Sequence, residues 1–441
     1  MNERAILWLL VYLAGCVAAL FNPLIGLLTY FFTYYIYPPM QWWGRGLPEL
    51  RWSIYCAALT VGSYLLHGPG AHTPRAKTFD HPQSKWLLGM IAISLLVTPM
   101  AVSPAVSIEY ATRLLKYAAL YLLILKLLTT INAYRALLLV HILGGFYWGL
   151  WGFFDPEMES GRLVNLGGPD SSTGDTTAAH LLTILPFVGY YIMGGRKWER
   201  LLCLAAAPFI VYVLIEINSR GSFVALAVAG LGALVLGWRS YRGRTMLGLA
   251  AGLAGLLVLS GSEFFERQAT TFEPKDQAAL SRLDMWKAAV EIMKDRPFGA
   301  GGHGFDLLSP HYLPELVERE GKLATVHNTY LMAGSEWGIP GLLCLLLYLL
   351  ASFRVLNRLR TGPAQTAIQK RVQLEALAMM VAFIGYLTAG FFVNRFYAEA
   401  TYWLGGFTAG LKNIWMAEER LIASSPGEAR PGRGEPAALK S

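Results

Sequence analysis

The chain has 441 residues, of which 54% are hydrophobic and only 15% charged. A soluble domain carries roughly a quarter charged residues, so this composition, with a mean hydropathy of +0.41, excludes an ordinary water-soluble enzyme. The formal charge of +8 sits in short loops between apolar runs, where Lys and Arg act as topology determinants and do not form a nucleic-acid surface.

Apolar stretches fall near residues 5–21, 23–37, 52–67, 86–103, 114–130, 136–154, 179–193, 201–217, 222–238, 246–260, 331–353, 372–393 and 398–416. Each approaches the length of about 20 residues that crosses a bilayer as a helix. Backbone groups in lipid must pair internally, and these runs are too long and too uniformly apolar for barrel strands. The expected fold is all-α: a polytopic helical membrane protein with about 12 transmembrane helices, or 13 if the first two stretches, joined at Asn22-Pro23, both cross. Thirteen Trp, 22 Tyr and 21 Phe suit interfacial aromatic belts.

Near the N-terminus, Leu13-Ala14-Gly15-Cys16 resembles a lipoprotein cleavage box, yet the chain stays apolar through Tyr35, so this stretch reads as a first membrane segment. Cys16, Cys56, Cys203 and Cys344 lie singly in apolar runs and read as small buried hydrophobes. Orientation follows from the basic residues. Arg75, Lys77 and Lys85 mark one cytoplasmic loop, and Arg196, Lys197 and Arg200 another. Arg239, Arg242 and Arg244 mark a third, and Arg354, Arg358, Arg360, Lys370 and Arg371 a fourth. They alternate with basic-poor loops around residues 104–112, 155–178, 218–221 and 394–397, which the positive-inside rule places outside.

The domain reading follows: N-terminal transmembrane helices over residues 1–260, a large extracytoplasmic loop over 261–328, C-terminal transmembrane helices over 329–416, and a disordered cytoplasmic tail over 417–441. Within the loop, Ala279 to Asp295 has Leu280, Leu283, Trp286, Val290 and Met293 at helical spacing, as in a helix lying on a membrane surface. Pro297 ends it.

Three positions that carry charge or titrate fall on the outer side: Arg220 in the turn Asn218-Ser219-Arg220-Gly221-Ser222, Arg282 one helical turn before Trp286, and His327 closing the loop. Arginine offers a planar, permanently charged fork that grips phosphate. Guanidiniums beside a lipid diphosphate stabilise charge growing on a leaving pyrophosphate, and imidazole suits activation of an acceptor hydroxyl. Trp286 and Tyr312 offer aromatic faces to sugar rings. Other signals are discounted. Gly299-Ala300-Gly301-Gly302-His303-Gly304 matches a dinucleotide fingerprint only literally, because it follows a helix, and it reads as a tight turn. His303, His311 and His327 lack metal-ligand spacing, so no metal or other cofactor is expected. Glu157-Met158-Glu159 reads as a solvated loop.

Ser219-Arg220-Gly221, Arg282 with Trp286, Pro297 and its glycine cluster, His327-Asn328-Thr329-Tyr330-Leu331, and Glu336-Trp337-Gly338-Ile339-Pro340-Gly341-Leu342 together resemble the O-antigen ligase and polymerase superfamily. Pro38-Pro39-Met40-Gln41-Trp42-Trp43 resembles a feature of some ligase-like members. The resemblance implies a metal-independent integral-membrane glycosyltransferase of the bacterial inner membrane, with its active site facing the periplasm. Such an enzyme passes a glycan from undecaprenyl diphosphate to an acceptor hydroxyl, with inversion. The acceptor is lipid A-core in a ligase, a growing glycan in a polymerase, or a protein hydroxyl in an oligosaccharyltransferase. By this resemblance His327, Arg282 and Arg220 are catalytic, while Arg162 (in Gly161-Arg162-Leu163), Trp286, Asn328, Tyr330 and Glu336 bind substrate. The chain departs from the family pattern just beyond Arg162, with Gly174-Asp175-Thr176-Thr177 where relatives often place an Asn. The reading from another class, a polysaccharide or lipid transporter without catalysis, is disfavoured because such proteins place ionisable groups mid-span in repeated broken helices.

This topology predicts that reporters fused at Ala300 and at Gly362 read outside and inside respectively; the reverse pattern would invert the orientation.

Overall fold

The computed structural model describes residues 2–68, 76–237, 239–261, 265 and 277–424. The fold is 81% helical and nearly all-α. The chain opens with a hairpin of α1 (Glu3–Phe21) and α2 (Pro23–Tyr35), turned at Asn22, whose side chain accepts the Leu24 amide at 3.0 Å. α3 (Trp52–His67), α4 (Pro82–Val97), α5 (Pro104–Leu127) and α6 (Ile131–Phe154) follow. Beyond a short hairpin come α7 (Gly174–Gly194), α8 (Lys197–Ile217), α9 (Arg220–Leu236) and α10 (Arg239–Leu259). The polar segment contributes α11 (Gln277–Asp295), α12 (Gly304–Tyr312) and α13 (Pro314–Glu320). α14 (Thr329–Thr361), α15 (Ala367–Ala389) and α16 (Glu399–Ser424) complete the bundle. α14 packs along α4, α15 against α7 and α9, and α16 along α5.

Among the described residues six helices, α1, α6, α7, α8, α14 and α15, are long and apolar enough to cross a membrane. Five others, α2, α3, α4, α5 and α9, fall short for physical reasons. α2 has 13 residues, α3 and α4 have 16 each and α9 has 17, below the roughly 20 that span a hydrocarbon core. α5 is long but carries Glu109, Arg113, Lys116 and Lys126.

The all-α expectation needs one amendment. Glu157–Glu159 and Arg162–Val164 pair as a two-stranded antiparallel ribbon (β1, β2), with Glu159 opposite Arg162. Ser160 and Gly161, at φ 51° and 70°, make its turn, the two-residue geometry that matches strand twist. At the other end of the chain, α16 runs on to Ser424 and so into the tail expected to be disordered. There Thr366 donates to Glu418 at 2.6 Å and Trp415 to Glu419 at 2.7 Å. The rest of that tail, Arg75 of the first basic loop, and residues 262–264 and 266–276 of the large loop lie outside the described residues.

α11 forms over almost the range expected, with two apolar sides. Met285, Ala288, Ala289 and Ile292 are buried against α14. Leu280, Leu283 and Val290, from the stripe noted in the sequence, are 44%, 48% and 41% exposed and remain available to a bilayer surface.

The segment after α11 is sewn onto a kink in α14. Gly338, at φ 69° and ψ −177°, breaks that helix. The freed backbone pairs with the glycine turn: Ala300 N–H donates to Ser335 O at 2.9 Å, Gly301 N–H to Glu336 O at 2.8 Å, and Ile339 N–H to Pro297 O at 2.9 Å. The backbones approach so closely that a Cβ on Gly338 would lie 2.3 Å from the Phe298 carbonyl carbon, and one on Gly299 2.3 Å from Glu336 O. Val102 N–H donates to Ala300 O at 2.9 Å and Gly302 N–H to Ser107 Oγ at 3.1 Å, tying the start of α5 to the same turn. The two glycine-bearing motifs of the sequence are therefore the two halves of one joint.

Gly338→Ala is expected to destabilise the protein by roughly 2–4 kcal/mol, from its Gly-only backbone angles and the overlap. Gly189→Ala, where a Cβ meets nothing within 4 Å, is expected to be nearly neutral. Thermal unfolding of both variants in detergent checks the contrast.

Candidate active site

Four elements bring charge to one end of the bundle. Arg162 opens β2, and its guanidinium donates to the Ile217 carbonyl at the end of α8 at 3.0 Å. It also pairs with Asp175, in the first turn of α7, at 2.5 Å. Arg282 approaches the other oxygen of Asp175 at 3.8 Å from α11. Arg220 is the first residue of α9, held by its cap: Ser219 Oγ accepts the Ser222 amide at 3.3 Å. Asn218 makes the preceding turn at φ 47°. Gly221 follows because a Cβ there would lie 2.6 Å from the Phe392 side chain.

Arg162, Asp175, Arg220 and Arg282 line one cavity of about 440 Å³, walled by Trp286, Phe392 and Val393. Among the described residues that line it, three guanidiniums accompany one carboxylate. The indole N–H of Trp286 has no protein partner among the described residues, which leaves it free to donate to a ligand. A cavity of this size, with apolar walls and a few convergent polar groups, is suited to holding a phosphorylated ligand.

His327, within the electrostatic reach of Arg282 and Asp175 in this cavity, has a left-handed backbone at φ 46°. The residue is exposed, with protein packed around the ring. Burial lowers its pKa below the usual histidine value; Arg282 and Lys322 push the same way, while Asp175 and Glu320 oppose them. At neutral pH the imidazole is therefore neutral and able to accept a proton. The strand leading to it is anchored by Thr325, whose hydroxyl donates to Asp306 at 2.9 Å. Burial raises the pKa of that carboxyl.

The structure thus gathers Arg162, Arg220, Arg282 and Trp286 around one cavity with His327 in their field. It places the other expected substrate-binding residues elsewhere. Asn328 is 3% exposed and caps α14, accepting the Tyr330 and Leu331 amides at 2.9 and 3.0 Å and donating to Phe391 O at 3.3 Å. Tyr330 donates its hydroxyl to Leu387 O at 2.8 Å. Glu336 is fully buried and accepts from the Tyr397 hydroxyl, which in turn accepts from Trp337 Nε1 at 2.8 Å. These three shape the frame around the cavity, and none of them lines it. Tyr312 donates to Asp295 at 2.5 Å, clamping α12 to the end of α11.

Two groups escaped the sequence reading. Asp175 stood out only as a departure from a family pattern, yet it joins two of the arginines. Arg395, a lone cation between two apolar runs, is 2% exposed and pairs with Asp170 at 3.0 Å. Asp170 also accepts from the Tyr34 hydroxyl at 2.7 Å. A solitary Arg in a basic-poor loop was the available signal. Among the described residues no group of His, Cys, Asp and Glu is arranged to hold a metal ion.

Residues 201–346 match the family model described as O-antigen ligase. The matched stretch runs from α8 into α14 and contains Arg220, Arg282 and His327, supporting the O-antigen ligase superfamily for this chain. Arg162 and Asp175 precede it. No curated protein matches the chain.

His327 is expected to titrate below the ordinary histidine pKa of about 6.5. Arg282→Ala should raise its midpoint and Asp175→Asn should lower it further, each removing one of the charges that act on the ring. NMR of ring-labelled histidine checks both signs; unmoved midpoints would detach His327 from the cavity.

Proposed function

We propose that this protein is an O-antigen ligase-type glycosyltransferase, moving a glycan from undecaprenyl diphosphate to an acceptor hydroxyl at the periplasmic face of the bacterial inner membrane. The observation that carries this reading is the convergence of Arg162, Arg220 and Arg282 on one cavity, with the His327 imidazole beside it. In the proposed topology about 12 helices span the bilayer, and the loop containing α11 to α13 lies outside.

In the proposed reaction the lipid diphosphate enters the arginine cavity, and Asp175 yields part of its hold on Arg162 and Arg282 to the incoming phosphates. The acceptor oxygen attacks the anomeric carbon. A new carbon–oxygen bond forms as the bond to phosphate breaks, and the electron pair leaves with the polyprenyl diphosphate. The three guanidiniums stabilise that growing charge without a metal ion, in a setting screened little by water. The acceptor proton passes to the neutral imidazole of His327. A single displacement of this kind inverts the sugar carbon. The acceptor is lipid A-core in this reading; a growing glycan or a protein hydroxyl would use the same chemistry.

With purified donor and acceptor, His327→Ala and Arg282→Ala are each expected to reduce transfer by about 100-fold or more, while both variants insert and elute like the unaltered chain. Near-normal transfer by either variant would defeat the assignment.

A further inference from the structure

A second cavity, of about 630 Å³, opens between the start of α3 and the first half of α5. Three cations line it, Arg51, Arg113 and Lys116, against a single carboxylate, Glu109. None of the four forms an ion pair within 4 Å among the described residues. Arg113 and Lys116 are one turn apart on the same face of α5. The Arg113 guanidinium is steadied by the Tyr110 ring, 4.5 Å from the ring centre. Lys116 lies twelve residues beyond Pro104, roughly 18 Å along the helix axis. Lys116 is exposed on the outer face of α5, and a charge that faces lipid this far along a helix is costly unless it has a partner.

The rim indicates what that partner is. Ile54 and Ile108 line the cavity, and both are exposed, at 42% and 46%. Arg51, Glu109, Arg113 and Lys116 are exposed on the same face, so a ligand here meets charge and apolar side chains side by side, which suits an amphiphile with an anionic head. The cavity also shares one end of the bundle with the arginine site. Tyr37, on its wall, donates its amide to Gly167 O at 3.2 Å in the loop between Arg162 and Asp175. The start of α5 is bonded to the glycine turn that holds α11.

We propose that Arg51, Arg113 and Lys116 form a second anion site that binds the phosphate-bearing headgroup of a membrane lipid, and that in the transfer reaction this lipid is the acceptor. Its role as acceptor rests on the transferase reading above; headgroup binding does not. Two cavities at one end of the bundle let donor and acceptor enter from the same leaflet without competing for the same arginines.

The test uses the full chain in detergent, with native mass spectrometry reading the binding of bisphosphorylated lipid A, its monophosphoryl form and phosphatidylglycerol. The double variant Arg113→Gln/Lys116→Gln is expected to weaken binding of bisphosphorylated lipid A by about tenfold per cation removed, with the monophosphoryl form bound less tightly by the unaltered chain. Lys116→Arg, which keeps the charge, should retain affinity and so report on folding. Loss confined to the lipid A forms identifies a phosphorylated glycolipid as the occupant, and equal loss of phosphatidylglycerol identifies phospholipid headgroups generally. Unchanged binding of all three lipids by the double variant overturns the site. In the transfer assay the double variant should raise KM for the acceptor while leaving donor KM unchanged; a rise in donor KM alone overturns the acceptor role. Absence of transfer by the unaltered chain would remove the transferase reading but leave the lipid-binding result standing.

Discussion

The arrangement of the site depends on a joint between two backbones. Where α14 breaks at Gly338, its unpaired groups are taken up by the turn from Pro297 to Gly302 through three backbone hydrogen bonds. Buried peptide groups without partners are costly, so a helix kinked at this depth requires the turn, and the turn requires the kink. The joint fixes α11, and with it Arg282, against the helix whose first residues follow His327. Side chains are excluded at the crossing, because a Cβ on either Gly299 or Gly338 would overlap the facing backbone. Without it, the guanidinium on α11 and the imidazole before α14 would be joined only by a long polar segment, with no fixed separation.

A second tier of buried polar groups braces the same end of the bundle. Arg395 is almost wholly buried and is compensated by Asp170, which is itself held by Tyr34. The Glu399 carboxylate accepts from Tyr30 at 2.9 Å. A buried pair of this kind adds little net stability over apolar packing, but losing one partner strands a charge and is strongly destabilising. Its value here is positional. The Arg395 amide donates to Thr329 Oγ1 at 2.9 Å, so the turn after α15 is registered against the first residue of α14. Phe392 and Val393 in that turn form the apolar wall of the arginine cavity.

Electrostatics in the cavity have the character of a site waiting for an anion. Asp175 answers both Arg162 and Arg282, and its contact with Arg282, at 3.8 Å, is long for a charged hydrogen bond. A diphosphate would satisfy those donors better than one carboxylate does. Asp175 also opposes the depression of the His327 pKa that burial and Arg282 impose. One acid therefore links the arginine cavity to the histidine beside it.

Much of this was legible in the chain itself. Long apolar runs dictate membrane-grade helices because lipid offers the backbone no partners, and α11 was visible from its period. Arg220 and His327 stood out as a charged and a titratable group beside apolar runs, and Arg282 as a cation on an amphipathic helix. Asn328 and Tyr330 were named through the family resemblance, and their polar atoms go to a helix cap and a backbone carbonyl. Sequence gives residue type but not the direction in which a side chain points. The tertiary structure alone decided that Asp175 would meet Arg162 and Arg282, that Arg395 would find Asp170, and that two separate glycine motifs would close on one another. Most of those contacts join residues far apart in the chain, and no local propensity encodes a distance across a bundle.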